Sequence, residues 1–360
     1  MVDTAITAMR EYLEGGANAN SGGQFAASVT TGELVTAARE TVATLLGADA
    51  GGIVFGPNMT TLTLAFTRAV GRTLGPGDEL LSTRLEHDSN ITPWKLAADD
   101  RRATLVLAPF DIETGRLPVE SVVERIGPTT RWVTVTGASN SLGTMPDVAA
   151  IVAAAHAAGA RVFVDAVHLA PHRAIDITAL GCDVLATSAY KWYGPHAGVL
   201  WIAPDLRDEL TPYKVRPAPD TAPERWETGT PAYEAIAATQ AAAEFLLEQG
   251  MTALADAEAA VFAPLLEGLN DLAHVAVHGP RDLADRTPTV CFSVDGHSAD
   301  EVATALAAAQ IAVWGGHYYA VEVMAALGLT ERGGAIRAGV SCYTSPDDVG
   351  RLLDVVTRMR

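Results

Sequence analysis

Between residues 53 and 203, short β-branched runs alternate with Ala-rich stretches whose apolar positions recur at helical spacing. Runs at 53–55, 79–82, 104–108, 132–136, 161–165, 184–187 and 198–202 read as strands. The stretch 148–158 is representative of the helical segments between them. Strands that are apolar throughout, separated by helices, predict a mostly parallel sheet of seven strands sandwiched by helices. Ligands of such sheets gather beyond the carboxyl ends of the strands.

The pattern changes after a stretch rich in Pro and charge at 211–227. A long helix at 232–248 leads into helices and shorter strands, 290–294 and 336–340 among them. Ile6, Met9 and Leu13 fall on one face of a helix at 1–14. The chain therefore reads as α/β, with a large domain over 15–246. A smaller α+β C-terminal domain is expected over 247–360, with 1–14 joining it.

Composition narrows the function classes. A net charge of −18 over 360 residues disfavours a nucleic-acid or anionic-membrane partner. No run of about 18 apolar residues suggests a membrane span, and residues 1–10 lack the pattern of a secretory signal. Cys182, Cys291 and Cys342 are too widely spaced for a zinc site or a disulfide framework. Each lies in an apolar, strand-like run and reads as a small buried hydrophobe. A cytoplasmic location is the expectation, and no metal is implied.

Chemistry concentrates after the fifth and sixth runs. Asp165, in Asp165-Ala-Val-His168, ends an apolar strand, where a carboxylate is costly unless paired. Taken alone it fits a helix cap or a metal ligand equally well. About twenty residues on stands Ser188-Ala-Tyr190-Lys191-Trp-Tyr-Gly194-Pro195. A lysine after a strand is usually a solvated surface residue, but one set between aromatics and a Gly-Pro turn is hard to solvate. Such an amine loses its proton readily and becomes a nucleophile for Schiff-base chemistry.

Asp165-x-x-His168 followed by Ser188-x-Tyr190-Lys191 resembles the cofactor site of class V aminotransferase-fold enzymes, the cysteine desulfurase and selenocysteine lyase group. The likeness extends over nearly the whole chain. It is strongest to the cysteine desulfurase-like subgroup that carries SAYK-x-x-GPH and GHYYA-x-E together. The resemblance implies a type I pyridoxal 5'-phosphate (PLP) fold, PLP as cofactor and Lys191 as its covalent anchor. It assigns Asp165 to the pyridine nitrogen and His87 to the ring face, as a candidate for proton transfer. Asn140, with His168 as a second such position, falls to the phenolic oxygen. Met59, Thr60, Ser188 and Tyr190 fall to the phosphate. Thr230, in Glu227-Thr-Gly-Thr230, matches the threonine that reaches the neighbouring subunit's phosphate, which implies a homodimer with a shared site. Arg337 matches the clamp for the substrate's α-carboxylate.

Two departures qualify the likeness. Relatives start with an extended arm lining the substrate pocket, whereas this chain starts at the following helix, so a more open pocket is expected. Trp314-Gly-Gly-His317-Tyr-Tyr319 occupies the loop where persulfide-forming desulfurases carry their cysteine, and Tyr319 stands at that position. A phenol cannot form a persulfide. The expected reaction on an amino acid is therefore C–S β-elimination from a cysteine-type substrate, which needs no enzyme thiol. Epimerisation, transamination and decarboxylative C–C chemistry are the alternatives, with a non-catalytic ligand-binding relative as a further one. Trp314, His317, Tyr318 and Tyr319 are expected to border the substrate.

Overall fold

The computed structural model describes residues 1–16 and 18–359. All seven runs form strands: β1 (Ile53–Gly56), β2 (Glu79–Thr83), β3 (Thr104–Ala108), β4 (Thr130–Thr136), β5 (Arg161–Asp165), β6 (Val184–Ser188) and β7 (Gly198–Ile202). They make one seven-stranded sheet in the order β1-β7-β6-β5-β4-β2-β3. The pairs β3/β2, β2/β4, β4/β5 and β5/β6 are parallel, whereas β7 runs antiparallel to both β6 and β1.

A second, smaller sheet is antiparallel, in the order β10-β11-β9-β8. Its strands are β8 (Val275–His278), β9 (Thr289–Val294), β10 (Trp314–Gly316) and β11 (Ala335–Gly339). The pattern at 290–294 and 336–340 anticipates β9 and β11. It misses β8, which is short and half-buried, and β10, whose Trp-Gly-Gly carries no period. Gly334 makes the β10–β11 pairing possible. It has φ +92°, and a Cβ there would collide with the backbone of Gly316.

Helix α1 (Asp3–Glu14) packs along the helix Tyr233–Gln249. The Val2 amide donates to the Tyr193 carbonyl, and Ala5 is buried in the cluster that also holds Val164 and Leu185 of the large sheet. The helix thus lies along Tyr233–Gln249 with Ala5 buried, while Ile6 and Leu13 of its expected apolar face are exposed. Of the cysteines, Cys182 and Cys291 are buried, but Cys342 is exposed. The strand expected to run to residue 340 ends at Gly339, and Cys342 falls in the turn beyond it. Among the described residues no helix is long and apolar enough to cross a membrane.

Helix α3 (Met59–Val70) follows β1 and is backed by an aromatic cluster on one face of the large sheet. The fully buried Phe66 ring meets Trp94, Trp132, Phe163 and Trp226 at centroid distances of 6.3, 5.4, 5.7 and 5.6 Å. Aromatic pairs in this range add stabilisation beyond their buried area. The cluster seats the helix whose first turn faces the candidate site. Phe66→Ala removes the hub ring, and we expect a loss of about 3–5 kcal/mol in denaturant-induced unfolding. A loss below about 1 kcal/mol would show that the surrounding indoles close over the gap.

Candidate active site

The carboxyl ends of β2, β4, β5 and β6 deliver Thr83, Thr136, Asp165 and Ser188 to one side of the sheet. Loops leaving these ends carry most of the candidate residues. Across from them, β9 and β11 of the second sheet contribute Thr289, Cys291 and Arg337, with Arg337 and Cys291 paired in register.

Asp165 is 4% exposed. Its Oδ1 accepts from the Val167 amide at 2.9 Å. Burial pushes its carboxyl up to about 6, which Lys191 only partly offsets. Lys191 lies on a short 3-10 turn immediately after β6. Its amine is held below the usual lysine range by burial first and by the Arg337 charge second. Its Nζ sits 5.1 Å from the centre of the Tyr190 ring, which stacks on His196. Among the described residues Lys191 makes no hydrogen bond and no ion pair within 4 Å.

His87 begins the turn after β2. Its Nδ1 accepts from the Ser89 amide at 3.0 Å and lies 2.7 Å from the Ser89 hydroxyl. Burial, then the Lys191 charge, pulls its pKa down to about 4, so the imidazole is neutral at pH 7. Tyr319 stacks on one face of the ring at 5.3 Å and 23°. His168 is likewise held well below the usual histidine range, mainly by burial. Its Nε2 meets the Thr289 hydroxyl at 3.0 Å.

Asn140 donates from Nδ2 to the Tyr318 carbonyl at 2.9 Å, while its buried Oδ1 has no hydrogen-bond partner. The amide expected to donate to a cofactor oxygen is thus occupied by the loop, and its acceptor is the free atom. Exchanging the two atoms would set an oxygen against a carbonyl, so the orientation follows from the network. Arg337 donates from Nη1 to the Asn140 carbonyl at 2.9 Å. Its guanidinium lies 4.9 Å from the centre of the Tyr318 ring. No carboxylate lies within 4 Å of it among the described residues.

The first turn of α3 is built as an anion site. Asn58 caps it by accepting from the Thr61 amide at 2.9 Å. The Met59 amide donates to Ser188 Oγ at 3.0 Å. The Thr60 amide and hydroxyl have no partner among the described residues. Gly198, opening β7, lets the Asn58 backbone approach, since a Cβ there would collide with it. The free Thr60 amide at a helix start, with the dipole behind it, suits phosphate. Thr230 is exposed, on a turn rooted by Glu227. Glu227 in turn pairs with the buried Arg39 and accepts from the Phe55 amide, each at 2.8 Å.

Trp314 is 67% exposed on an edge strand, so it is not packed in a core. His317 is exposed, with Nδ1 accepting from the Tyr319 amide at 3.1 Å. Two groups escaped the sequence reading. Glu86 is fully buried between β2 and β4 and accepts from Thr83, Thr136 and Asn90 at 2.6, 2.9 and 2.8 Å. Burial pushes it up to about 8 against the pull of these donors. It anchors the turn that carries His87. Tyr318, anticipated only as one ring of its loop, meets Cys291 Sγ with its hydroxyl at 3.0 Å.

Together these features suit PLP. They offer a buried acid with no cation of its own, a depressed lysine beyond the neighbouring strand end and a helix start with a free amide. The chain belongs to the aminotransferase class-V family, whose model matches residues 1–352. Members are PLP-dependent enzymes, and this chain is one. It is 32% identical to a probable cysteine desulfurase of Pseudomonas putida, over 96% of this chain and 87% of the relative. It is 30% identical to a cysteine desulfurase of Klebsiella pneumoniae, over 99% of this chain and 90% of the relative. Among solved structures it superposes on an apo cysteine desulfurase from Thermococcus onnurineus with a TM-score of 0.93. That pair shares 28% identity over 98% of this chain and 90% of that one. A cysteine desulfurase from Escherichia coli gives a TM-score of 0.89 at 27% identity, over 99% of this chain and 91% of that one.

The depressed His87 gives a direct check on the site's electrostatics. Imidazole carbon shifts of His87 in the cofactor-free protein should titrate near pH 4, and a midpoint near 6.5 would refute the buried setting. A lowered folded-state pKa makes this group's contribution to stability complete above about 6.5. That contribution is lost as pH falls toward 4.

Proposed function

We propose that the enzyme is a C–S β-lyase that takes a cysteine-type amino acid, breaks the Cβ–S bond and releases the sulfur without an enzyme thiol. The observation that carries this reading is the loop facing His87. Its residues 314–322 contain no cysteine, and Tyr319, at the position where a nucleophilic thiol would stand, stacks on His87. When bound, PLP supplies an electron sink that makes the substrate's α-proton removable. Lys191 anchors the cofactor and then moves that proton, a role that suits an amine held below the usual range.

Asp165 would keep the pyridine nitrogen protonated, and the neutral His87 ring would offer the cofactor the face Tyr319 leaves free. Met59, Thr60, Ser188 and Tyr190 would hold the phosphate. His168 would serve the phenolic oxygen, and Asn140 would do so only on giving up its bond to the Tyr318 carbonyl. Arg337, unpaired among the described residues, takes the α-carboxylate through its planar fork. Elimination at Cβ releases the sulfur with its pair of electrons, as sulfide from cysteine, and one water hydrolyses the remaining 2-aminoacrylate to a 2-oxo acid and ammonia. No oxidant is required.

The same reading makes the active assembly a homodimer. Thr230 is exposed on a turn whose root is fixed to β1 through Glu227, which suits a residue that reaches a partner's phosphate. A cytoplasmic location belongs to this reading too, with all three cysteines free.

Two measurements test it. The purified protein with added PLP should absorb in the visible, and Lys191→Ala should lose the band of the lysine-bound cofactor. A wild type that stays colourless with added cofactor would refute Lys191 as the anchor. Incubation with cysteine, cystine, alanine, aspartate and glutamate should yield pyruvate from the two sulfur amino acids only, with sulfide from cysteine and the persulfide thiocysteine from cystine. New amino acids, racemised substrate or carbon dioxide would instead point to transamination, epimerisation or decarboxylation.

A further inference from the structure

We infer that Tyr318 is the positioning residue for α-carboxylate recognition, holding the Arg337 guanidinium in place from below and fixing Asn140 beside it. The inference rests on the proposal that the site binds an amino acid.

Three contacts made by one residue carry it. The Tyr318 ring lies 4.9 Å from the Arg337 guanidinium carbon. Its carbonyl accepts the Asn140 amide at 2.9 Å, and the Asn140 carbonyl accepts Arg337 Nη1 at 2.9 Å. Its hydroxyl meets Sγ of Cys291, the strand partner of Arg337 on β9, at 3.0 Å. Tyr318, Asn140 and Arg337 thus close a ring of contacts. Arginine has five N–H donors in a planar fork. Here one is spent on Asn140, one face rests on an aromatic ring, and the remaining donors have no anion. A guanidinium fixed this way binds a carboxylate with little further loss of side-chain freedom.

The backbone supports the same reading. Tyr318 and Tyr319 are consecutive non-glycine residues with φ of +33° and +61°. Such residues are strained and persist only where their surroundings over-determine them. Here both carbonyls are held by the first unit, Tyr318 by Asn140 and Tyr319 by the Asp88 amide at 2.8 Å. Glu322 is paired with Arg84 just beyond. The left-handed turn drives the Tyr318 ring under Arg337 while Tyr319 stacks on His87.

The test titrates the PLP-loaded enzyme with two probes that have no reactive side chain and follows the cofactor's absorbance. 2-Aminoisobutyrate carries an α-carboxylate; isopropylamine is the same skeleton without it. Tyr318→Leu should weaken the first about tenfold, the equivalent of about 1.4 kcal/mol, as expected for a desolvated cation–π contact. It should leave the second within twofold. Tyr318→Phe keeps the ring and should match the wild type. Because Tyr318→Leu could fail to fold, phenylalanines of increasing fluorination at position 318 provide a second series. They preserve shape while draining the ring's negative face, so affinity for 2-aminoisobutyrate should fall stepwise. An equal loss for both probes, or a flat response across the fluorinated series, overturns the inference. A wild type that responds to neither probe overturns it along with the amino-acid reading. A wild type that prefers 2-aminoisobutyrate and is unmoved by the variants sinks only the role of Tyr318.

Discussion

Asp165 ends β5 inside the molecule, and burial raises its carboxyl to about 6. Lys191 is near enough to pull that carboxyl down, yet it is itself destabilised as a cation by burial and by Arg337. Each relieves the other only in part, because desolvation penalises both charges and no hydrogen bond joins them. A heterocycle whose ring nitrogen takes a proton satisfies the acid, and a carbonyl carbon satisfies the amine. A costly feature of the bare protein is therefore what suits it to its cofactor. The parallel order β4-β5-β6 makes this possible by bringing adjacent carboxyl ends to one level.

The remaining charges follow from that pair. His87 and His168 are both held neutral, so the cations bearing on the site are Lys191 and Arg337. The α3 start adds amides and a dipole rather than another charge. A chain with a net charge of −18 thus carries a locally cationic site, which on the proposed reading takes a phosphate at one end and a carboxylate at the other. The anchoring behind it is also polar. Glu86 ties β2, β4 and the turn that opens with His87 into one buried network, and Thr134 extends it by donating to Asn90 at 2.6 Å. A fully satisfied network of this kind fixes one geometry.

How much of this could be read from the chain depended on whether the signal was local. The seven large-sheet strands are apolar runs with helices between them, so their existence and bounds are legible. Asp165 and Lys191 stand out because a charge at the end of such a run is unusual. Arg337 is visible for the same reason, inside an apolar strand. Glu86 gave no signal, since an acid beside a histidine in a turn is ordinary until two strands and that turn close around it. The strand β10 was hidden because Trp-Gly-Gly has no period and exists only through its pairing with β11. Cys342 was misplaced for a related reason. It lies in the turn after β11, just past a strand end, where periodicity carries no information.

The loop from Trp314 to Glu322 is where chemistry and mechanics meet. A side chain that accepts an atom from the substrate has to travel with it, so its loop must be free to move. This loop is tied on both sides: the Tyr318 and Tyr319 carbonyls accept from Asn140 and from the Asp88 amide, and the Tyr318 side chain packs against Arg337 and Cys291. Two strained residues in succession add a cost of about 1–3 kcal/mol each that these contacts offset. Structure of that kind is retained where position matters more than motion. The loop is built as a wall against Arg337 and the outer face of His87, and on the reaction proposed above a wall of this sort serves a leaving group that simply departs.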